Sequence, residues 1–267
     1  MAPQTVAPVP RYCANLHFLF TEVGDFLDRF AAARRAGFRA VEFPHPYKYP
    51  AAELRRHLDE QDMTCVLFNL PMGDPGRGEK GLAGLPGRQT EFRAGVERAI
   101  AMAQLLRCPR ANCLAGIAPA GLDPGLLRAT LVENLRWAAR AFAEAGLTLC
   151  LEALNTVDVP GYLVTSSHAA LDLIAEVGEA NLRFQFDLYH LHVMEGPALL
   201  ARLQQVLPLV EHVQIADHPG RHEPGTGCVP WAQALALLDG LNYQGWVGAE
   251  YHPSPGKRTE ETLGWRR

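Results

Sequence analysis

Four oxygen-bearing side chains follow apolar runs in the second half of the chain. Glu152 closes the run Leu-Cys-Leu-Glu, and Asp187 closes the run Phe-Gln-Phe-Asp. Gln214 lies in His-Val-Gln-Ile-Ala-Asp, and Glu250 closes Val-Gly-Ala-Glu. Successive members are 35, 27 and 36 residues apart, which is the length of one strand with its crossover helix. If each run is a strand with these side chains on its inward face, three carboxylates and an amide converge.

Three converging carboxylates indicate a bound cation. In a dry cavity they repel one another unless a cation neutralises them or they take up protons. Oxygen ligands suit Mg²⁺ or Mn²⁺, whereas zinc prefers imidazole or thiolate. The cation would polarise a carbonyl group, so that a carboxylate can remove a proton from the adjacent carbon and a second group can return it one carbon away. The residues therefore predict a metal-assisted isomerisation or epimerisation.

A histidine follows the second of these carboxylates. His190 comes three residues after Asp187, at a predicted strand-to-helix junction, and could bind substrate or move a proton. His212, two residues before Gln214, is interpreted as structural. Other chemistries find no support, because the chain has no G-x-S-x-G elbow and no G-K-[ST] phosphate loop.

The elements that would position these residues alternate along the chain. Strands are predicted at residues 12–16, 40–43, 64–69, 111–115, 148–154, 183–187, 212–216 and 246–250. Helices are predicted at residues 23–36, 51–61, 88–106, 124–145, 167–177, 197–207 and 231–241. Alternation of this kind is typical of parallel strands joined by helical crossovers.

Eight strands at about 33 residues per unit predict a single (β/α)8 TIM barrel in the α/β class. A doubly wound open sheet is the alternative, but the first strand is not followed by a G-x-G-x-x-G turn. The tail at residues 259–267 is short for an eighth helix. Two long inserts, at residues 71–87 and 217–229, follow strands and would lie on the carboxyl-terminal rim, where barrel active sites are built.

Composition narrows the possible partners and the compartment. The net charge of −4 argues against nucleic acid, and no apolar run is long enough for a membrane helix. Residues 1–10 hold three prolines and are predicted to be a flexible lead-in to one domain spanning 1–267. The six cysteines are scattered without a C-x-x-C pair, which indicates reduced thiols in a cytoplasmic protein. The sequence is also compatible with a homo-oligomer.

Several segments resemble the hydroxypyruvate isomerase family of the xylose-isomerase-like barrel superfamily. The likeness runs from about residue 11 to residue 255, and its longest motif follows Gln214. The segments are Cys-Ala-Asn-Leu (13–16), Gly-Phe-Arg-Ala-Val-Glu-Phe (37–43), Asn-Leu-Pro-Met-Gly-Asp (69–74), Leu-Val-Glu-Asn-Leu-Arg-Trp-Ala-Ala (131–139), Phe-Asp-Leu-Tyr-His (186–190), Gln-Ile-Ala-Asp-His-Pro-Gly-Arg-His-Glu-Pro-Gly-Thr-Gly (214–227) and Gly-Trp-Val-Gly-Ala-Glu-Tyr (245–251).

The resemblance implies a TIM barrel that interconverts hydroxypyruvate and 2-hydroxy-3-oxopropanoate. It also implies a divalent metal held by Glu152, Asp187, Gln214 and Glu250, with the two glutamates as the proton-transfer pair. Family members often have Glu-Pro-Ile-Asn where this chain has Glu-Ala-Leu-Asn (152–155). The resemblance therefore does not determine the backbone conformation after Glu152. The 2-oxo-tetronate isomerases share most of these motifs, and another sugar or keto-acid isomerase or epimerase of the superfamily is a further alternative.

A small keto acid needs an anchor for its carboxylate and partners for its hydroxyl groups. Arg221, in the second insert, and His190 are the candidates for the carboxylate. Asn69 and Glu42, at the ends of predicted strands, could bind hydroxyls. Two rival functions remain: a metal-dependent endonuclease of the same superfamily, which the acidic net charge disfavours, and a sugar-binding barrel without catalysis.

Overall fold

A cylinder of parallel strands forms the centre of the molecule. The structure is a computed structural model and describes residues 11–266, so the lead-in predicted for residues 1–10 lies outside the described residues. Within this range eight strands form one sheet. They are β1 (Arg11–Asn15), β2 (Ala40–Glu42), β3 (Thr64–Leu67), β4 (Arg110–Cys113), β5 (Thr148–Glu152), β6 (Leu182–Asp187), β7 (Val210–Ile215) and β8 (Trp246–Ala249).

The strand order shows how the sheet curls into a barrel. Hydrogen-bonded neighbours follow the order β3-β2-β1-β8-β7-β6-β5-β4, and every paired strand is parallel to its partner. The two end strands, β3 and β4, meet through a parallel bridge between Asn69 and Asn112, where the Leu70 N–H donates to the Asn112 carbonyl at 2.8 Å. The predicted α/β barrel is therefore confirmed, and the open doubly wound sheet is excluded.

Helices join the strands and cover the outside of the barrel. They are α1 (Asp28–Arg35), α2 (Ala51–Glu60), α3 (Gln89–Leu106), α4 (Pro124–Glu144), α5 (Ser167–Val177), α6 (Leu188–Glu195), α7 (Leu199–Val206) and α8 (Trp231–Gly240). The helix ends follow local chemistry. Asp123 caps α4 by accepting from the Gly125 N–H at 2.8 Å, and Gly178, with a positive φ of 75°, ends α5.

The largest departure from the predicted elements is α6. The sequence predicts one helix at residues 197–207 in this crossover, whereas the structure has α6 directly after β6, then α7. No turn residue separates strand from helix because Asp187, the last residue of β6, is itself the cap of α6. In addition, α1 begins at Asp28 rather than at residue 23, and the described part of the tail, residues 259–266, forms a 3-10 turn at Thr259–Thr262 in place of an eighth crossover helix.

The strands bury both faces, but the two faces differ in polarity. Outward side chains such as Leu151, Phe186 and Ile215 pack in the main apolar core beneath the helices. Inside the barrel, a small apolar cluster of Cys13, Ala40 and Val66 packs against Trp246. Towards the carboxyl ends of the strands the inward residues are polar and buried. They are Asn15, Glu42, Asn112, Glu152, Gln185, Asp187, His212 and Gln214.

Two further expectations can be compared with the described residues. None of the helices within residues 11–266 combines the length and the apolarity that crossing a lipid bilayer requires. The six cysteines are all unpaired, but only five of them are buried, because Cys228 is exposed in the second rim insert.

Candidate active site

Three carboxylates lie at the carboxyl ends of strands on one side of the barrel, β5, β6 and β8. Glu152 ends β5, Asp187 ends β6 and Glu250 follows β8. Glu152 is 5% exposed and Asp187 1%, while the side chain of Glu250 is 15% exposed. The alternation predicted from the sequence thus brings all three to the mouth of the barrel.

Glu152 is held from the neighbouring strand. The amide of Asn112, on β4, donates from Nδ2 to Glu152 Oε2 at 2.7 Å. Burial, and next the charge of Asp187, raise the pKa of Glu152 to about 8, against the opposing charge of Arg221. Burial and Asp187 thus favour the protonated form of this carboxyl group, and a bound cation would favour the ionised form.

Asp187 uses its two oxygens differently. Its Oδ1 accepts from the Tyr189 N–H at 2.7 Å and so caps α6. Its Oδ2 lies 3.5 Å from Arg221 Nη2 and 3.7 Å from His190 Nε2. Burial raises the pKa of Asp187, while Arg221 opposes the shift. The helix cap therefore fixes the carboxylate and leaves Oδ2 facing Arg221 and His190.

Glu250 accepts hydrogen bonds from three side chains. Asn15 Nδ2 donates to Oε2 at 2.8 Å, Gln214 Nε2 donates to the same oxygen, and Arg221 Nη2 donates to Oε1. Burial raises the pKa of Glu250 well above its usual value, and Arg221 works against that shift. Glu250 and Asp187 thus share one guanidinium.

Gln214 presents its nitrogen, not its oxygen, to the carboxylates. Its Oε1 accepts from Gln185 Nε2 at 2.6 Å, while its Nε2 also donates to Glu42 Oε1 at 2.8 Å. Among the described residues, Gln185 Oε1 is buried without a hydrogen-bond partner. Gln214 is therefore in the site, as the sequence predicts, but its amide is oriented as a donor.

Glu42 lies beneath the carboxylates and pairs with a histidine. Glu42 Oε2 is 2.6 Å from His212 Nε2, and Oε1 accepts from Asn15 Nδ2 at 3.0 Å. Burial would raise the pKa of Glu42, but the charge and hydrogen bond of His212 lower it overall. Both oxygens of Glu42 are engaged by protein donors, so in this structure the residue orients Asn15 and Gln214, which in turn contact Glu250.

Arg221 reaches the carboxylates from the second rim insert. The guanidinium lies between the rings of Phe18 and Tyr189, 4.9 and 5.0 Å from their centroids. The buried carboxylate of Asp217 accepts from the Gly225 and Val229 N–H groups at 2.7 and 2.9 Å and ties the two ends of this insert together. Burial alone would lower the pKa of Arg221, but Glu250 and Asp187 raise it.

His190 has a defined tautomer. Its Nδ1 accepts from the Asn155 N–H at 3.2 Å, so the ring proton resides on Nε2, which faces Asp187. Burial, followed by the charge of Arg221, lowers the pKa of His190 well below its usual value. His190 is thus a neutral donor at the cavity wall.

A cavity of about 250 Å³ opens above these groups. Of the predicted site residues, Asn69, Glu152, His190, Arg221 and Glu250 line it, and Gln214 and Glu42 line a smaller pocket beneath. Sequence analysis missed Lys80, which lines the cavity from the first rim insert. It also missed Asn15, Asn112 and Gln185, although each is a polar residue within a predicted strand.

The donor set fits a divalent cation. Ligand atoms of Glu152, Asp187 and His190 lie within 4.8 Å of one another. Arg221 contacts two of the three buried carboxylates, so two negative charges stay uncompensated when all three ionise. The pKa values of these three carboxyl groups are raised, which is consistent with an excess of negative charge in a buried site. A second trio, Cys13, Glu42 and His212, is also compact, but its Glu42 and His212 already pair with each other.

Acidic side chains at the carboxyl ends of the strands place this chain among the (β/α)8 barrel enzymes. Comparison with known proteins identifies the family within that class. A family model described as xylose isomerase-like TIM barrel matches residues 30–267. The chain is 44% identical over 257 residues to a 2-oxo-tetronate isomerase of Cupriavidus necator, covering 96% of this chain and 97% of that protein.

Two more relatives are similar over the same length. A hydroxypyruvate isomerase of Escherichia coli is 44% identical over 255 residues, covering 96% of this chain and 97% of that protein. A crystal structure from Brucella melitensis, of a protein named AP endonuclease, family 2, superposes with a TM-score of 0.92 at 40% identity, covering 96% of this chain and 97% of that one. The chain belongs to the xylose isomerase-like TIM barrel family.

Proposed function

We propose that this protein is an isomerase of small hydroxy-keto acids, with hydroxypyruvate and 2-hydroxy-3-oxopropanoate as the interconverted pair. The observation that carries the proposal is a pair of glutamates that line one cavity, the buried Glu152 and the half-buried Glu250, on strands either side of β6. The names of the two relatives at 44% identity support the same reaction type. The 2-oxo-tetronate isomerisation is the alternative, because it applies the same chemistry to a substrate one carbon longer.

Proton transfer between two carbons accounts for the glutamate pair. One glutamate removes a proton from C3 of hydroxypyruvate, and the other delivers a proton to C2, while the hydroxyl proton moves from the C3 oxygen to the C2 oxygen. The product is an aldehyde at C3 and a secondary alcohol at C2. Arg221 and the Nε2–H of His190 face the same cavity and can stabilise the negative charge of the enediolate formed between these steps.

A divalent cation, Mg²⁺ or Mn²⁺, would be held by Glu152, Asp187 and Glu250, with Gln214 as a fourth ligand. When bound, it would polarise the substrate oxygens and neutralise the carboxylates. Gln214 would need its oxygen, which Gln185 now engages. Because Gln185 Oε1 has no partner among the described residues, an exchange of donor and acceptor roles would preserve the bond between the two amides, although Gln214 would then give up its bonds to Glu42 and Glu250.

Substrate binding is assigned to the remaining cavity residues. Arg221 and His190 would hold the carboxylate, and Asn69 would contact a hydroxyl group. Lys80 adds a second positive charge for the same anion. Glu42 is predicted to bind hydroxyls, and its contacts with Asn15 and Gln214 also favour a role in orienting these two side chains. The unpaired cysteines support a cytoplasmic location.

The decisive test is an assay of the metal-supplemented protein on a panel of three- and four-carbon keto acids. We expect turnover of hydroxypyruvate that a chelator abolishes and that Mg²⁺ or Mn²⁺ restores. Turnover of 2-oxo-tetronate alone would select the alternative, and cleavage of abasic DNA without turnover of any keto acid would reject both. The same assay in D2O separates two routes, since proton transfer places solvent deuterium on carbon and a hydride shift does not.

A further inference from the structure

A second cavity, of about 230 Å³, lies beside the active-site cavity at the carboxyl ends of β1 and β2. Four of its lining side chains are basic, and none is acidic. The basic residues are His17, Arg29, His45 and Lys48. His17, Pro44 and His45 line both cavities, so these three residues form the wall between them.

The basic side chains of this cavity have no acidic partner. Elsewhere, basic side chains commonly pair with carboxylates, as Arg110 does with Glu211 at 2.9 Å and Lys257 with Glu223 at 2.9 Å. Within residues 11–266, no carboxylate oxygen lies within 4.0 Å of a side-chain nitrogen of the four residues that line the second cavity. In a chain of net charge −4, the two unpaired cations Arg29 and Lys48, beside two imidazoles that can take up protons, are a local reversal of sign.

These groups are also close enough to repel one another. The rings of His17 and His45 are 5.5 Å apart between centroids, and Arg29 is held at the wall by donating to the Leu16 carbonyl at 2.8 Å. Burial lowers the pKa of His17 to about 4, and the charges of His45, Arg29, His252 and Lys48 add to that effect. A bound anion would reverse the repulsion and favour protonated His17.

We propose that the second cavity is an oxyanion subsite, which binds a phosphate or a carboxylate group distinct from the one held beside Arg221. The inference goes beyond the proposed function, because the first cavity already provides room and a guanidinium for a three- or four-carbon acid. Because the two cavities share a wall, the anion is either free in solution or the far end of a ligand that reaches both cavities.

Direct binding to the Mg²⁺-supplemented full-length protein tests the subsite without any assay of turnover. Inorganic phosphate is titrated at pH 6 while the His17 ring is observed by NMR, and calorimetry compares glycerate with 3-phosphoglycerate. Lys48→Gln is expected to weaken phosphate about threefold, as for an exposed ion pair, and Lys48→Glu about tenfold. The matched control is Arg202→Glu, which reverses an exposed charge on α7.

Two outcomes support the subsite, and they identify its source of anion. In the first outcome, phosphate alone shifts the His17 resonances, and the Lys48 variants bind phosphate more weakly. This result indicates that the subsite binds a free anion. If phosphate alone has no effect but 3-phosphoglycerate binds about tenfold more tightly than glycerate, and Lys48→Glu removes that advantage, the anion is the far end of a longer ligand.

Two other outcomes overturn it. One is the absence of any effect of phosphate on His17 together with equal affinities for glycerate and 3-phosphoglycerate. The other is an equal loss of anion affinity in Lys48→Glu and Arg202→Glu. Such a result would mean that the affinity depends only on the net charge of the protein. Neither outcome bears on the isomerase proposal, which is measured by turnover of keto acids.

Discussion

Gly248 and Glu42 face each other across the barrel interior. A Cβ atom at Gly248 would lie 2.5 Å from each carboxylate oxygen of Glu42, closer than real Cβ contacts come. Glu42 in turn contacts Asn15 and Gln214, which donate to Glu250. The missing side chain on β8 therefore makes room for the buried carboxylate that orients the donors of Glu250.

Replacing Gly248 with alanine should disturb this arrangement. Overpacking a buried site costs about 1–3 kcal/mol, and displacement of Glu42 should also lower kcat. The measurements are thermal unfolding and steady-state kinetics on hydroxypyruvate. Gly240→Ala is the matched control, because a Cβ at Gly240 meets nothing within 4 Å. Equal stability and activity of the two variants would contradict the steric argument.

The glutamate pair should be essential to the reaction but not to the fold. Glu152→Gln and Glu250→Gln each remove a proton acceptor while keeping shape, and a loss of about 10²–10⁴-fold in kcat is expected. Steady-state kinetics and circular dichroism measure the two effects. Glu144→Gln, at an exposed position at the end of α4, serves as the control. If either active-site variant keeps wild-type kcat, its glutamate is not a proton-transfer group.

His190 should remain neutral where free histidines titrate. Burial and Arg221 hold the pKa of His190 well below its usual range, and the Asn155 N–H occupies its Nδ1. Nitrogen-15 NMR of the metal-free protein should therefore show an Nε2–H tautomer with no change of charge between about pH 6 and 8. Exposed His168, on α5, provides an internal comparison in the same spectrum. Titration of His190 near pH 6.5 would remove it as a neutral donor.

Metal-free protein should lose stability as the pH rises. Burial raises the pKa of Glu152 to about 8 and raises that of Asp187. A carboxyl with a raised folded-state pKa stabilises the fold fully below its unfolded pKa, and that contribution disappears as the pH rises through the folded value. The Tm of chelator-treated protein should therefore be lower at pH 9 than at pH 6.

Two additions separate this effect from general alkaline unfolding. Glu152→Gln should reduce the difference in Tm, because the glutamine cannot ionise. Added Mg²⁺ or Mn²⁺ should raise Tm more at pH 9 than at pH 6, because the cation need not displace a proton there. A metal-free Tm that is equal at the two pH values would show that the carboxyls are not protonated as described.

The amino-acid sequence alone determined the barrel and the strand ends that carry its acidic groups. Both follow from local regularities: apolar runs mark the strands, and alternation assigns Glu152, Asp187 and Glu250 to one face before any contact is known. The same pattern placed Gln214 beside them. The rim inserts were predictable as functional from their length, and Arg221 and Lys80 come from them.

Only the tertiary structure decided how these groups are engaged. Asp187 both ends β6 and caps α6, so the predicted gap between strand and helix is absent, and its second oxygen meets Arg221 and His190. Gln214 presents an amide nitrogen because Gln185 engages its oxygen, and Glu42 lies beneath the site because Gly248 leaves space for it. Such roles depend on contacts between strands that are distant in the sequence. Periodicity along one strand indicates which way a side chain points, but not which partners it meets.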